Sequence, residues 1–183
     1  METADLELAN YLSSGRLLAE DSFSWGDMPL NIACYLSSIQ PPGQYVSSVR
    51  AIVFLDDTVL VVRGNGNEYY ILPGGRMEKN ESQEGTLRRE LLEETGWMLK
   101  ELSILGFMHF HHLGPKPADY PYPYPDFLWL IYYAQAHNHF QGAIIDDEYV
   151  RGVEFCPTTE LQKFHIKEGE LALLEAAVRL RQR

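Results

Sequence analysis

Residues 74–97 read GGRMEKNESQEGTLRRELLEETGW, and the fold of the chain turns on this stretch. A helix is expected from about Ser82 to Thr95. Asn80 or Ser82 can cap its first amides, and Gly96 can take the left-handed conformation that ends it. On that helix Glu90, Glu93 and Glu94 stand at i, i+3 and i+4 and share one face, while Leu87 and Leu91 form a separate stripe free to enter a core. A solvated face is the ordinary fate of such glutamates. Three carboxylates this close repel one another, however, and a hard divalent cation relieves the repulsion with its preferred oxygen ligands. Magnesium keeps several waters and shares its shell with phosphates, so it suits the set. Glu81, just ahead of the helix, is placed to reach Arg89 and fix it beside the carboxylates. Pro73-Gly74-Gly75 lets backbone approach a metal unobstructed, which makes the Gly74 carbonyl a further ligand candidate. Water on such a metal gives up a proton more easily to a nearby glutamate, and the hydroxide can attack phosphorus while metal and arginine stabilise the developing charge.

Upstream of this segment the pattern is extended. Val49–Leu55 and Val59–Arg63 read as strands joined across Asp56-Asp57, Gly64-Asn65-Gly66-Asn67 is a turn, and Tyr69–Leu72 is a short strand ending at Pro73. Downstream, strands are expected near Leu102–His112 and Phe127–Ala136, around a loop rich in proline and tyrosine. A last strand near Tyr149–Phe155 precedes a helix starting around Thr158, and Leu171, Leu174, Ala177 and Val178 space a final helix over 168–180. Strands dominate the middle, with one helix inserted and another at the end, which implies a mixed sheet covered by helices.

Residues 1–40 hold a weakly helical pattern (Leu6, Leu8, Ala9, Leu12) and an apolar run from Ile32 to Leu36, before Pro41-Pro42-Gly43 breaks the chain. The chain divides on this reading into an N-terminal extension, 1–45, and a domain, 46–183. The extension is expected to be an arm for pairing with a second copy, a lid or a packing helix, because its apolar run needs something to bury it.

At 183 residues the chain suffices for one full core. A net charge of −11 argues against broad nucleic-acid or anionic-membrane binding, though metal ions and a few arginines can still invert the field locally for a phosphate. The start, with Glu2, Asp5 and Glu7, lacks a signal peptide's basic and apolar regions. The longest uncharged stretch, Met28 to Val49, is too polar and proline-broken for a membrane span. Cys34 and Cys156 stand in no ligand spacing and read as reduced core thiols. A cytoplasmic location is expected.

The stretch resembles the Nudix box, the signature of the Nudix hydrolase family: Gly, five residues, Glu, seven residues, then Arg-Glu-apolar-any-Glu-Glu-any-Gly-apolar. Gly75, Glu81, Arg89, Glu90, Glu93, Glu94 and Gly96 fill every fixed position, a coincidence on the order of one in a million for random composition. Trp97 departs from the usual aliphatic at the last place, which alters packing below the helix and leaves the ligands alone. The resemblance, spanning about residues 46–182, implies an α/β/α sandwich around a mixed sheet. It also implies magnesium or manganese, and hydrolysis of a nucleoside diphosphate linked to another group. By that likeness Glu90, Glu93 and Glu94 hold metal, Arg89 orients them, and the identity of the general base stays open. Many members use one more downstream acid, for which Glu148 is the candidate.

The box is silent on the group beyond the diphosphate, and a sugar or prenyl diphosphate, or a ligand sensor without turnover, are the rival readings. Three features bear on it. Tyr120, Tyr122 and Tyr124 are each followed by proline, so a stiff loop raises rings that can stack on a base or sugar. Among the histidines, His109, His111 or His112 fall near that loop, with His111 the candidate for substrate contact. A hairpin turn near Asp119 keeps these apart from His137 and His139, which argues against a four-histidine zinc site. Arg50, Arg63 and above all Arg76 are candidates to grip a phosphate.

Overall fold

The computed structural model describes residues 3–145 and 149–182. Its strands in chain order are β1 (Arg16–Trp25), β2 (Met28–Leu36), β3 (Val46–Leu55), β4 (Thr58–Arg63), β5 (Tyr69–Tyr70), β6 (Gly74–Gly75), β7 (Trp97–His112), β8 (Asp126–His139) and β9 (Gly152–Pro157). The helices are α1 (Thr3–Ser14), α2 (Gln83–Thr95) and α3 (Glu168–Arg181). The main path of the sheet runs β1-β2-β7-β8-β3-β4-β5, with β6 paired to β3 and β9 to β4. β3 and β8 run parallel and the other pairs antiparallel, so the sheet is mixed.

Alternation along β3 divides the core, because successive side chains of a strand point to opposite faces. Val49, Ala51 and Val53 pack with Leu87 and Leu91 of α2 and with Leu130 of β8. Ile52 and Phe54 pack on the other face with Phe110, Ile131 and, from α3, Leu173, Leu174 and Ala177. α1 lies on the α2 side, where Leu8 and Tyr11 cover Phe107 and Leu128. The result is the expected α/β/α sandwich.

Several boundaries differ from the sequence reading. Tyr69–Leu72 is strand only over Tyr69–Tyr70, since the next amide, of Ile71, donates to Glu170 of α3 instead of to a neighbouring strand. The last strand begins at Gly152, three residues later than expected, and the helix foreseen near Thr158 is a 3-10 turn over Thr158–Phe164 that stops at His165, where φ is +52°. Before residue 45 the helical pattern around Leu6–Leu12 is α1, and the apolar run is the centre of β2, paired from Leu30↔His112 to Leu36↔Gly106. β1 went unforeseen because it carries little alternation: it is a mostly exposed edge strand of mixed polarity. Cys34 and Cys156 are buried and unpaired, and among the described residues no helix is long and apolar enough to cross a membrane.

Candidate active site

α2 begins and ends as its sequence requires. Ser82 accepts from the Gly85 amide at 3.1 Å, and Gly96, with φ of +73°, closes the last turn through its own amide on the Leu92 carbonyl. These stops fix which residues of the helix face β6. The missing side chain of Gly75 makes room for Glu90: a methyl group there would lie 2.5 Å from both carboxylate oxygens. Gly74 holds a φ of +132°, and its amide donates to Glu94 Oε2 at 3.1 Å. Two glycines are therefore all that separates β3 from the glutamates of α2.

Arg89 ties the acidic groups together. Its Nε donates to Glu81 Oε1 at 2.7 Å and its Nη2 to Glu81 Oε2 at 3.0 Å, a bidentate pair. Its Nη1 reaches Glu90 Oε1 at 3.0 Å and Glu93 Oε2 at 3.1 Å, and Nη2 also contacts the Arg76 carbonyl at 3.3 Å. Glu81 accepts further from the Thr86 hydroxyl at 2.6 Å and the Glu78 amide at 3.0 Å. The Arg89 contact first, then these two, bring the Glu81 carboxyl down to about 2, so it is held as an anion. Glu90 is pushed the other way. Burial raises its pKa and the nearby Glu93 adds to this, against the pull of Arg89. A partly desolvated carboxylate beside a second one gains from a cation.

A pocket of about 340 Å³ opens beside β6, lined by Ser47, Ser48, Arg50, Arg76, Tyr120, Tyr122, Phe127, Trp129, Trp25 and Met28. Ser48 donates to the Gly75 carbonyl at 2.9 Å, which joins the pocket wall to the glycine pair. Arg50 lies over the Trp129 ring at 4.1 Å, donates through Nη1 to the Leu72 carbonyl at 2.9 Å, and keeps a buried Nε with no hydrogen-bond partner. Burial lowers its pKa, opposed by the charges of Glu94, Glu170 and Glu90. Arg76 lies over Tyr122 at 4.3 Å, and Tyr120 meets His112 Nε2 through its hydroxyl at 2.9 Å.

The structure thus gathers Glu81, Arg89, Glu90, Glu93, Glu94 and Gly74 around β6, and brings Arg50, Arg76 and Tyr120 to the adjoining pocket. Two expected residues are elsewhere. Arg63 sits at the end of β4 with its guanidinium on the Arg151 carbonyl. His111 faces away from the pocket and shares Asp126 Oδ1 with His109, at 2.8 and 2.7 Å, because strand alternation sends His112 and not His111 toward Tyr120. Trp97 pairs with His139 at the far end of the same hairpin, so the two histidine groups are apart. Glu148 lies outside the described residues. The described Ile145, shortly before it, donates to the Glu93 carbonyl at 2.9 Å. Trp25, Met28, Ser48, Trp129 and Glu170 were not singled out from sequence.

Among the described residues no three acidic, histidine or cysteine side chains form a closed metal cage. The donor chemistry nevertheless fits a hard cation. Glu90, Glu93 and Glu94 supply only carboxylate oxygens, and magnesium binds through one or two carboxylates while keeping water.

The NUDIX domain model matches residues 44–176. Among solved structures, the chain is similar to a pyrophosphohydrolase of Bacillus subtilis, with TM-score 0.59 and 20% identity over 88% of this chain and 96% of that one. It is also similar to a NUDIX hydrolase from Nitrosomonas europaea, with TM-score 0.56 and 20% identity over 73% and 89% of the two chains. A MutT NUDIX hydrolase from Burkholderia pseudomallei follows, at TM-score 0.53 and 16% identity over 70% and 95%.

Proposed function

The chain belongs to the Nudix hydrolase family, and from that premise we propose that it is a pyrophosphohydrolase, dependent on magnesium or manganese, that cleaves a diphosphate linkage in a nucleotide or nucleotide-linked small molecule. The observation that carries the reading is Arg89, whose guanidinium engages Glu81, Glu90 and Glu93 at once beside the Gly74–Gly75 strand.

In this reading Glu90, Glu93 and Glu94 hold the cation, and the Gly74 carbonyl and Glu148 are further candidate ligands. When bound, the cation would neutralise the diphosphate and acidify a water at the site. The residues of the chain supply the rest. Glu81, fixed as an anion, keeps Arg89 charged and in place, and Arg89 fixes the rotamers of Glu90 and Glu93. Glu94 is oriented by the Gly74 amide, so backbone and helix hold a set distance. Arg50 and Arg76 stand on the pocket side, where a phosphate or the group beyond it would lie. The reduced, buried thiols suit the cytoplasm, where we place the protein.

The test is phosphate release, coupled to a phosphatase, over nucleoside triphosphates, ADP-ribose, nucleotide sugars, dinucleoside polyphosphates and prenyl diphosphates, with magnesium and with a chelator. Metal-dependent turnover on one nucleotide class is expected. Folded protein that binds magnesium yet turns over none of the panel would overturn the proposal.

A further inference from the structure

The pocket beside β6 is closed on one side by residues that precede the family match. The β1–β2 turn at Gly26-Asp27 presents Trp25 and Met28 to the same space as Arg50, Arg76, Tyr122 and Trp129. Trp25 stands edge-on to Trp129, with ring centroids 6.3 Å apart and planes at 87°. It remains 45% exposed, so it has surface left for a ligand to cover. The other large rings are already engaged: Arg50 covers Trp129, Arg76 covers Tyr122, and Phe127 stacks on Phe110.

Resting on the diphosphate-hydrolase reading above, we infer that Trp25 is the stacking platform for a nucleobase, so the N-terminal hairpin is part of the substrate site and selects nucleotide over prenyl or sugar diphosphates. The chemistry of the walls decides among the three. Arg50 and Arg76 offer only donors, and Ser47 and Ser48 are polar. A prenyl chain would desolvate the exposed Arg76 guanidinium without giving it an acceptor, which is costly. A sugar would satisfy the donors, but it would lay only C–H groups, not a flat π face, against an indole. A purine or pyrimidine has both: ring nitrogens and carbonyls for the guanidiniums, and a face for Trp25. The volume, about 340 Å³, lies at the small end of ligand pockets and fits one ring system better than a long chain. Arg50 bridges the two parts of the site, since it pairs in register with Gly74 and feels the charges of Glu90 and Glu94 while lying on Trp129.

Calorimetric titration of the full chain with two matched, non-hydrolysable ligands in magnesium tests this. α,β-Methylene ADP and α,β-methylene UDP carry a base, and methylenediphosphonate carries the same phosphorus groups without one. Trp25→Ala should weaken both nucleotide analogues by about 5- to 150-fold. It should leave methylenediphosphonate within about twofold, and Trp25→Phe should restore most of the loss. Because Trp25 is at an exposed turn, melting temperature should be unchanged in both variants, and a fall there would send the same titration to Trp25→Phe alone, whose ring preserves the hairpin. Equal weakening of all three ligands, or no effect of either variant, overturns the inference. Metal-dependent hydrolysis of a prenyl or sugar diphosphate with no nucleotide binding would overturn it while leaving the hydrolase reading intact. Failure of methylenediphosphonate to bind, together with absent turnover, would instead condemn the hydrolase reading and this inference with it.

Discussion

Replacing Gly75 by alanine should separate catalysis from folding. The added methyl would lie 2.5 Å from both oxygens of Glu90, whereas real contacts of this kind stay beyond 3.0 Å, so the carboxylate must retreat by at least about 0.5 Å. What must move is the end of a flexible side chain, not backbone, and stability should therefore change little. Catalytic constellations tolerate about 0.5 Å of displacement, and an error of about 1 Å costs roughly 100-fold. Turnover of Gly75→Ala should accordingly fall about 10- to 100-fold, with a melting temperature within about 3 °C of the parent. Gly74→Ala is the contrasting control. Its φ of +132° is hostile to a side chain, and the new atom would strike the Val49 carbonyl and come within 2.9 Å of Arg50 Cα, both backbone. That variant should lose folding stability. Steady-state kinetics and thermal unfolding of the two proteins side by side provide the assay. Parental activity in Gly75→Ala, or equal destabilisation of both variants, would refute the argument that Gly75 is needed to seat Glu90.

Two further outcomes follow from buried or charged groups near the same loop. Glu170→Ala leaves the buried Ile71 amide without its acceptor, now 2.8 Å away, and should cost about 1–3 kcal/mol, or roughly 2–12 °C in melting temperature for a chain of 183 residues, measured by calorimetry. Glu81 has a folded pKa of about 2 against an ordinary value of 4.5, so the unfolded chain binds its proton first on acidification. Its contribution to stability is therefore complete above about pH 4.5 and disappears as pH falls toward 2. Glu81→Gln should flatten that part of the acid-unfolding curve relative to the parent, and parallel curves would show that the Arg89 pair does not act in this way.

Helix α2 was legible because its signals are local. The Ser82 cap, the Gly96 stop and the spacing of Glu90, Glu93 and Glu94 all lie within one stretch, and the reach from Glu81 to Arg89 follows from helix geometry. The mixed sheet covered by helices was legible from the order of the elements, and the sandwich from the resemblance of the box. What failed to show was non-local. β1 is an exposed edge strand without alternation, and nothing near Trp25 in the chain reveals that its hairpin tip meets Trp129. Strand alternation turns His111 to Asp126 and His112 to Tyr120, a one-residue difference of face that the sequence around the loop did not reveal. Glu170 sits at the start of an amphipathic helix where an acid ordinarily complements the helix dipole, so its burial against Ile71 left no mark in the sequence.

The most direct test of the central claim is the magnesium-dependent turnover of the parent, Glu93→Gln and Glu94→Gln proteins on whichever diphosphate the panel identifies. Each substitution removes a carboxylate charge with almost no change in volume, and in Glu94→Gln the side-chain carbonyl can still accept from the Gly74 amide. Folded variants with turnover reduced by more than about 100-fold are expected. Near-parental rates from both folded variants would contradict the assignment of α2 as the catalytic helix.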